Sequence, residues 1–341
     1  NAGSKTLHVL FGWDYAAGAL IGAFIVLVYC FAGGIRASIW TDAAQSFVMF
    51  LAMALMLAVA LTELGGITSI WENLNNVNPA FMDLFPPSPD YLAELPFAGS
   101  IGAFLFVIGW FFAGIGVIGQ PHIMVRFITM DKPSEMVQAR MYYYGFYVLF
   151  YAMTISVALC ARLLIPETEG FDAELALPML ANTLLPDILV GLVLAGLFAA
   201  TMSTADSQIL CCSAAITNDI TPQISGYKAN KIATLAVTFI ALIIALAGPD
   251  SVFSLVLIAW SALASCFGPL LIIMACKQKL SEWLAIAIML GGLAAMLLWR
   301  FLELNSITYE VVPGILAGFA IFGIARAVET VKNNTDARTA Q

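Results

Sequence analysis

The chain has 341 residues, 61% hydrophobic and only 11% charged, with a mean hydropathy of +0.93. Water-soluble globules carry roughly 25% charged residues, so this composition excludes a soluble domain and points to the bilayer as solvent. The 26 glycines and 14 prolines follow no tripeptide repeat and the polar residues keep to short connections, which excludes a collagen-like fibre or a disordered chain. A net charge of −8 supplies no basic face for a phosphate backbone, so nucleic acid is not an expected partner.

Uncharged stretches at 15–35, 43–62, 95–125, 141–161, 188–205, 232–249, 251–276, 283–299 and 311–325 give nine candidate spans. Most approach the ~20 residues that cross a hydrocarbon core, and the last two are short enough to need snorkelling or local thinning. The fifth continues past Asp206 to Asn218, because Ile209, Leu210, Cys211, Cys212, Ala214, Ala215 and Ile216 keep it apolar. It reads as one long helix with a single acid inside. The connections 63–98 and 162–187 hold turn formers such as Pro86-Pro87-Ser88-Pro89 and read as loops with room for short surface helices. The final Arg326–Gln341 stretch is polar and is expected to fray. The expected organisation is an all-α polytopic bundle over 1–328 with a tail over 329–341. No initiator Met opens the chain and Asn1–Phe11 lacks the order of a signal peptide, so the chain is expected to begin partway through a longer protein. Cys30, Cys160, Cys211, Cys212, Cys266 and Cys276 have no metal-ligand or secreted-framework spacing and read as packing residues.

Basic residues set orientation, since Lys and Arg stay on the cytoplasmic side. Arg36, Arg126, Lys132, Arg140, Lys228, Lys231, Lys277, Lys279, Arg326, Lys332 and Arg338 fall on one alternating set of connections, and only Lys5, Arg162 and Arg300 on the other. The N-terminus is therefore expected outside and the C-terminus inside.

There is no GxxxxGK[ST] phosphate cradle, HExxH, GxSxG or CxxC, and the only histidines are His8 and His122. An enzyme or an ATP-driven pump is not expected. The fifth span instead carries Ala200-Thr201-Met202-Ser203-Thr204-Ala205-Asp206-Ser207-Gln208. Positions 200, 203, 204 and 207 share one helix face. The Ala200 carbonyl, freed if the Ser203 and Thr204 hydroxyls disturb the ladder, and those hydroxyls are oxygens of the kind that replace water around a small hard cation. The alternative is interhelical hydrogen bonding, common in membrane bundles. Asp206 favours function, because an acid at a helix centre costs about 2.5–3.5 kcal/mol on insertion scales and faces a cavity, a partner or an ion path. Asp42, entering the second span, is either a first-turn charge on the helix dipole beside a capping Thr41 or an ion ligand. In the third span Gly109-Trp110, Gly114, Gly116, Gly119 and Gln120-Pro121 read as close packing or as a broken helix of the kind that binds ions and polar solutes. Trp260, Ser261, Ser265, Gly268 and Pro269 offer an aromatic that packs or lines a cavity.

At these residues the sequence resembles the sodium:solute symporter family, most closely its sodium/proline branch. The resemblance is carried by Gly33-Gly34 with Trp40-Thr41-Asp42; Gly119-Gln120-Pro121-His122 with Arg126-Phe127; Ala199-Ala200-Thr201-Met202-Ser203-Thr204 with Gln208; Phe267-Gly268-Pro269; and Tyr309-Glu310-Val311-Val312-Pro313-Gly314. It implies a leucine-transporter-like inverted-repeat fold, of which these spans resemble the later part, in the plasma membrane. It also implies Na⁺ as coupling ion at Ala200, Ser203 and Thr204, completed by a helix before this chain begins. A further Na⁺ site in some members matches Asp42, Ser203, Asp206 and Ser207. Two aromatic positions of the proline pocket correspond to Ala113 and Val117 here, which implies a smaller, less aromatic pocket, with Trp110 as a substitute ring and Gln120 and Trp260 as further lining. The expected function is Na⁺-coupled import of a small organic solute, proline or another amino acid. A membrane solute sensor on the same fold, or a passive channel, stays open.

Overall fold

The computed structural model describes residues 2–32, 34–77, 81–82, 100–165, 171–224, 226–247 and 251–339. Among the described residues the structure is helical, without strands. Hydrocarbon offers the backbone no hydrogen-bond partner, so each span must close its own ladder. Eight helices are long and apolar enough to cross a membrane, and a shorter apolar helix spans Tyr15–Phe31. They correspond by position to the nine expected spans. The described residues form two compact units, Asn1–Met82 with Met130–Val252, and Asp83–Thr129 with Phe253–Gln341.

The first unit contains α1 (Ala2–Phe11), α2 (Tyr15–Ala32), α3 (Ile35–Glu63) and α4 (Ile67–Val77). In the second unit α5 (Ser100–Ile115) passes through a 3-10 turn, Gly116–Gly119, and Gln120 to α6 (Pro121–Ile128). The first unit resumes with α7 (Met136–Leu164), α8 (Ala176–Leu184), α9 (Asp187–Ala214), which ends in a π turn over Ala215–Ile220, and α10 (Tyr227–Ala247). The second unit is completed by α11 (Val252–Ala275), α12 (Glu282–Phe301) and α13 (Val311–Thr339), the first residue of α11 being counted with the first unit.

In the first unit α3 lies along α9, and a Cβ on Gly196 would stand 2.8 Å from that of Ala52. Small residues let membrane helices approach this closely. Met53 and Met56 of α3, Met153 and Val157 of α7, Leu180 of α8 and Val193 of α9 fill the core beside this contact. The connection expected to carry surface helices over 162–187 therefore departs from expectation: α8 buries Leu180 and Ala181, because its apolar face fits between α3 and α7. The other connection carries α4, whose Ile70 and Leu74 pack on Ala60 and Cys160. The Pro86–Pro89 turn lies outside the described residues.

Lys5 is buried, and its ammonium donates to Asp172 at 2.6 Å and to Glu174 at 2.8 Å. Burial works against that charge, but the two hydrogen bonds and the carboxylate charges outweigh it and hold the lysine pKa above its ordinary value.

In the second unit the 3-10 turn Gly116–Gly119 lies close against the backbone of α11. A Cβ on Gly119 would lie 2.5 Å from the Leu263 carbonyl oxygen, and one on Gly116 3.3 Å from Ala264. The Gly314 site of α13 leaves no room for a Cβ beside Ser265, and a Cβ on Gly318 would meet Pro269 at 2.6 Å. Pro269 interrupts the ladder inside α11. The tail departs from expectation, since α13 stays helical to Thr339. Its continuation is supported where Arg326 pairs with Glu329 and reaches Gln278 and the Lys279 carbonyl. Of the cysteines, Cys30 and Cys160 are buried and Cys212 and Cys276 exposed, so the packing expectation describes only part of the set.

Gly119→Ala should lower unfolding stability in detergent by about 1–3 kcal/mol, because the Leu263 backbone must move. Gly114→Ala, with open space where its Cβ would go, should be neutral or slightly stabilising, since alanine loses less entropy in a helix. Equal melting temperatures for the two variants would contradict the close contact of the 3-10 turn with α11.

Candidate functional site

Helix α9 presents the polar cluster without interrupting its ladder. The Ser203 and Thr204 hydroxyls both donate to the Ala200 carbonyl at 3.1 Å. The expected freeing of that carbonyl by a disturbed helix is corrected: back-bonding satisfies the hydroxyl protons inside a continuous helix. Its effect is to gather three oxygens, with hydroxyl lone pairs turned outward. Ala200 and Thr204 line a cavity of about 500 Å³ bounded by α1, α2, α9 and α10, where Gly3, Gly18, Gly22 and other small residues leave the space.

One turn further, Asp206 is 1% exposed. Ser207 donates to the Ser203 carbonyl at 2.7 Å and lies 3.2 Å from the Asp206 carboxylate. Asp206 lines a smaller cavity of about 110 Å³ with Tyr29 and Cys30 of α2, Ser38 and Thr41 of α3, and Leu210. Asp42 belongs to the same neighbourhood, since its charge and that of Asp206 both act on the Tyr29 hydroxyl. Its reading as a first-turn dipole charge is corrected, because α3 already begins at Ile35. Thr41 is no cap either: its hydroxyl donates to the carbonyls of Ala37 at 2.8 Å and Ser38 at 2.9 Å. The structure thus places Ala200, Ser203, Thr204, Asp206, Ser207 and Asp42 in one unit. Tyr29 and Ser38 were missed, because no periodicity in the sequence tells that α2 and the start of α3 face α9.

Trp110, Ala113, Val117, Gln120 and Trp260 belong to the second unit. The helix is broken where the glycines and Pro121 suggested, and Gln120 has extended backbone between the 3-10 turn and α6. Gln120 is 2% exposed, and its side-chain amide nitrogen has no hydrogen-bond partner among the described residues. Ala113, Val117 and Trp260 are half-buried. Trp110 is 42% exposed, but its ring stacks on Tyr309 at 5.9 Å and on Phe253 at 6.2 Å. Tyr309 is fixed in turn, its hydroxyl donating to the Leu257 carbonyl at 2.8 Å and accepting from Ser261 at 2.6 Å. Beside it Glu310 is buried and accepts two 3.1 Å hydrogen bonds from Arg300.

A discontinuous helix in one unit and a polar cluster on an intact helix in the other belong to a polytopic helical membrane protein. A model of the sodium:solute symporter family matches residues 1–292, and the chain belongs to that family. The chain is 28% identical over 327 residues to the high-affinity proline transporter PutP of Bacillus subtilis, an overlap of 93% of this chain and 66% of that protein. It is 30% identical over 336 residues to sodium/proline symporter 2 of Staphylococcus saprophyticus, with 93% and 63% covered. It is 27% identical over 356 residues to the sodium/proline symporter of Escherichia coli, with 98% and 68% covered. The chain thus spans about two thirds of the length of these relatives. Among solved structures it is similar to a Na⁺-coupled sialic acid symporter in a substrate-bound, outward-open state, at 18% identity and a TM-score of 0.72, covering 96% of this chain and 70% of that one. That likeness bears out the leucine-transporter-like helical fold. The family and these relatives are transporters and not enzymes.

Tyr309→Phe keeps the ring stack but removes the phenolic link, leaving the Ser261 hydroxyl to donate directly to the Leu257 carbonyl at 2.7 Å. It should cost about 1–2 kcal/mol of unfolding stability, read as a lower melting temperature in detergent; an unchanged value would contradict the hydrogen-bonded role.

Proposed function

We propose that this chain is part of a Na⁺-coupled symporter that imports a small organic solute by alternating access. The observation that carries the reading is the gathering of the Ser203 and Thr204 hydroxyls on the Ala200 carbonyl, where Ala200 and Thr204 line a cavity. Neutral oxygens suit weak, reversible binding of a monovalent cation, which coupling requires because the ion must also leave. Asp206, Ser207 and Asp42 are proposed as a second Na⁺ site, where a carboxylate inside the membrane has a use that repays its cost. With the hydroxyl protons committed to the Ala200 carbonyl, only lone pairs remain for a ligand, so the site favours a cation over an anion or a hydrogen-bond acceptor.

Gln120 at the helix break is proposed to donate its side-chain amide to a polar group of the solute, with Ala113, Val117 and Trp260 shaping the apolar part. Trp110, held between Tyr309 and Phe253, supplies an edge to this pocket. The relatives' proline transport supports an amino acid as substrate, and L-proline is the first solute to test. The distribution of Lys and Arg supports a plasma-membrane protein with the N-terminus of this chain outside and its C-terminus in the cytoplasm, residues 1–328 forming the transport domain and 329–341 a cytoplasmic tail.

L-proline uptake into vesicles should require an inward Na⁺ gradient, and a screen of other amino acids in the same assay identifies the solute if proline is not accumulated. Ser203→Ala and Thr204→Ala should each raise the Na⁺ concentration for half-maximal uptake roughly tenfold, the equivalent of one lost polar contact of about 1.4 kcal/mol. Unchanged Na⁺ dependence in both variants would remove the site assignment, whereas solute binding without accumulation would favour a sensor.

A further inference from the structure

The cavity beside Ala200 and Thr204 has an end that its ion chemistry does not explain. Ala2, Gly3 and Ser4 of α1 form part of its wall, and so does Val252. These two stretches are distant in sequence, and one carboxylate holds both. Glu174 accepts from the Lys5 ammonium at 2.8 Å, from the Val252 amide at 3.1 Å and from the Ser251 hydroxyl at 3.2 Å. Asp172 adds a 2.6 Å bond to Lys5 and caps the following turn by accepting from the Glu174 amide at 3.0 Å. Lys5, Asp172, Glu174, Ser251 and Val252 all belong to the first unit.

We propose that Lys5, Asp172 and Glu174 form an ionic latch, a conformational device that fastens α1 and the Ser251–Val252 stretch to the loop before α8 and so closes one end of the ion cavity. Three features favour a latch over a mere surface pair. The lysine is buried, whereas an exposed pair contributes little and is freely rearranged. Its partners lie on the short 3-10 turn Ala173–Leu175 and its cap Asp172, outside the long helices, so they can shift while those helices keep their own ladders. Glu174 bonds to both walls and Asp172 reinforces the Lys5 side, so withdrawal of the turn with its two carboxylates releases both walls together. Opening the latch would leave a buried ammonium short of partners, a state stable only when water enters, so opening and hydration of the cavity are coupled. The inference rests on the transport reading for what passes through the cavity and for which side of the membrane the latch faces; the closure itself does not depend on it.

The test uses a cysteine placed in the cavity wall as Ala245→Cys and a membrane-impermeant thiol reagent applied separately to the two sides of membrane vesicles. Labelling is counted above that of the parent with its six native cysteines. Lys5→Met and Glu174→Gln should each speed labelling about tenfold from the outer side, and the exchange Lys5→Glu with Glu174→Lys should bring the rate back towards the parent's. Ser251→Ala, which removes the hydroxyl bond to Glu174 and leaves the ion pair, should give a smaller increase and guards against a folding defect in the charge variants. Faster labelling from the inner side alone would keep the latch and overturn the proposed orientation. Unchanged rates from both sides in Lys5→Met and Glu174→Gln would overturn the latch. L-proline uptake and its Na⁺ dependence, measured in the parent, report separately on the transport reading.

Discussion

A hydroxyl inside a membrane must place its proton somewhere, and the nearest acceptor is the carbonyl three or four residues back in its own helix. That constraint governs the first unit. Ser203, Thr204, Ser207, Ser213 and Thr217 along α9 and its π turn each donate to a backbone carbonyl of the same helix. The helix is thereby both intact and polar on one side. An intact helix can be packed closely by α3 at Gly196, and its outward lone pairs are what a small cation needs. Had the hydroxyls bonded across to neighbouring helices, the same residues would have served only as glue.

The second unit meets the same constraint differently. Its ladder is broken at the 3-10 turn and again disturbed at Pro269, so close backbone contact takes over. Gly116 and Gly119 let the 3-10 turn approach α11, and Gly314 and Gly318 let α13 do the same. Around this seam Trp299 donates to the Thr308 carbonyl, Thr308 to the Leu105 carbonyl, and Tyr309 to the Leu257 carbonyl. The Thr308, Leu105 and Leu257 carbonyls thus find side-chain donors.

Hydropathy made the helices legible, because a span must be apolar over its whole length and charges can only fall between spans. It set their boundaries less well: α3 begins at Ile35, before Arg36 and Asp42, since a charged side chain at a helix end can lie along the helix while its backbone remains in the ladder. The face shared by Ala200, Ser203 and Thr204 was legible from spacing alone, and the break at Gln120 from glycine and proline. The neighbours of Asp206 were not, because Tyr29 and Ser38 reach it only through the packing of α2 and α3 on α9. The burial of α8 was equally hidden, since a short amphipathic segment looks the same on a surface and in a core.

The central claim is that the oxygens of Ala200, Ser203 and Thr204 hold the coupling ion. Equilibrium binding of radioactive sodium to the purified protein tests it without any need to know the solute. Saturable binding that weakens in Thr204→Val, while that variant keeps the parent's melting temperature, is the predicted result. Binding of equal affinity in the parent and in a doubly substituted Ser203→Ala, Thr204→Val protein would contradict it.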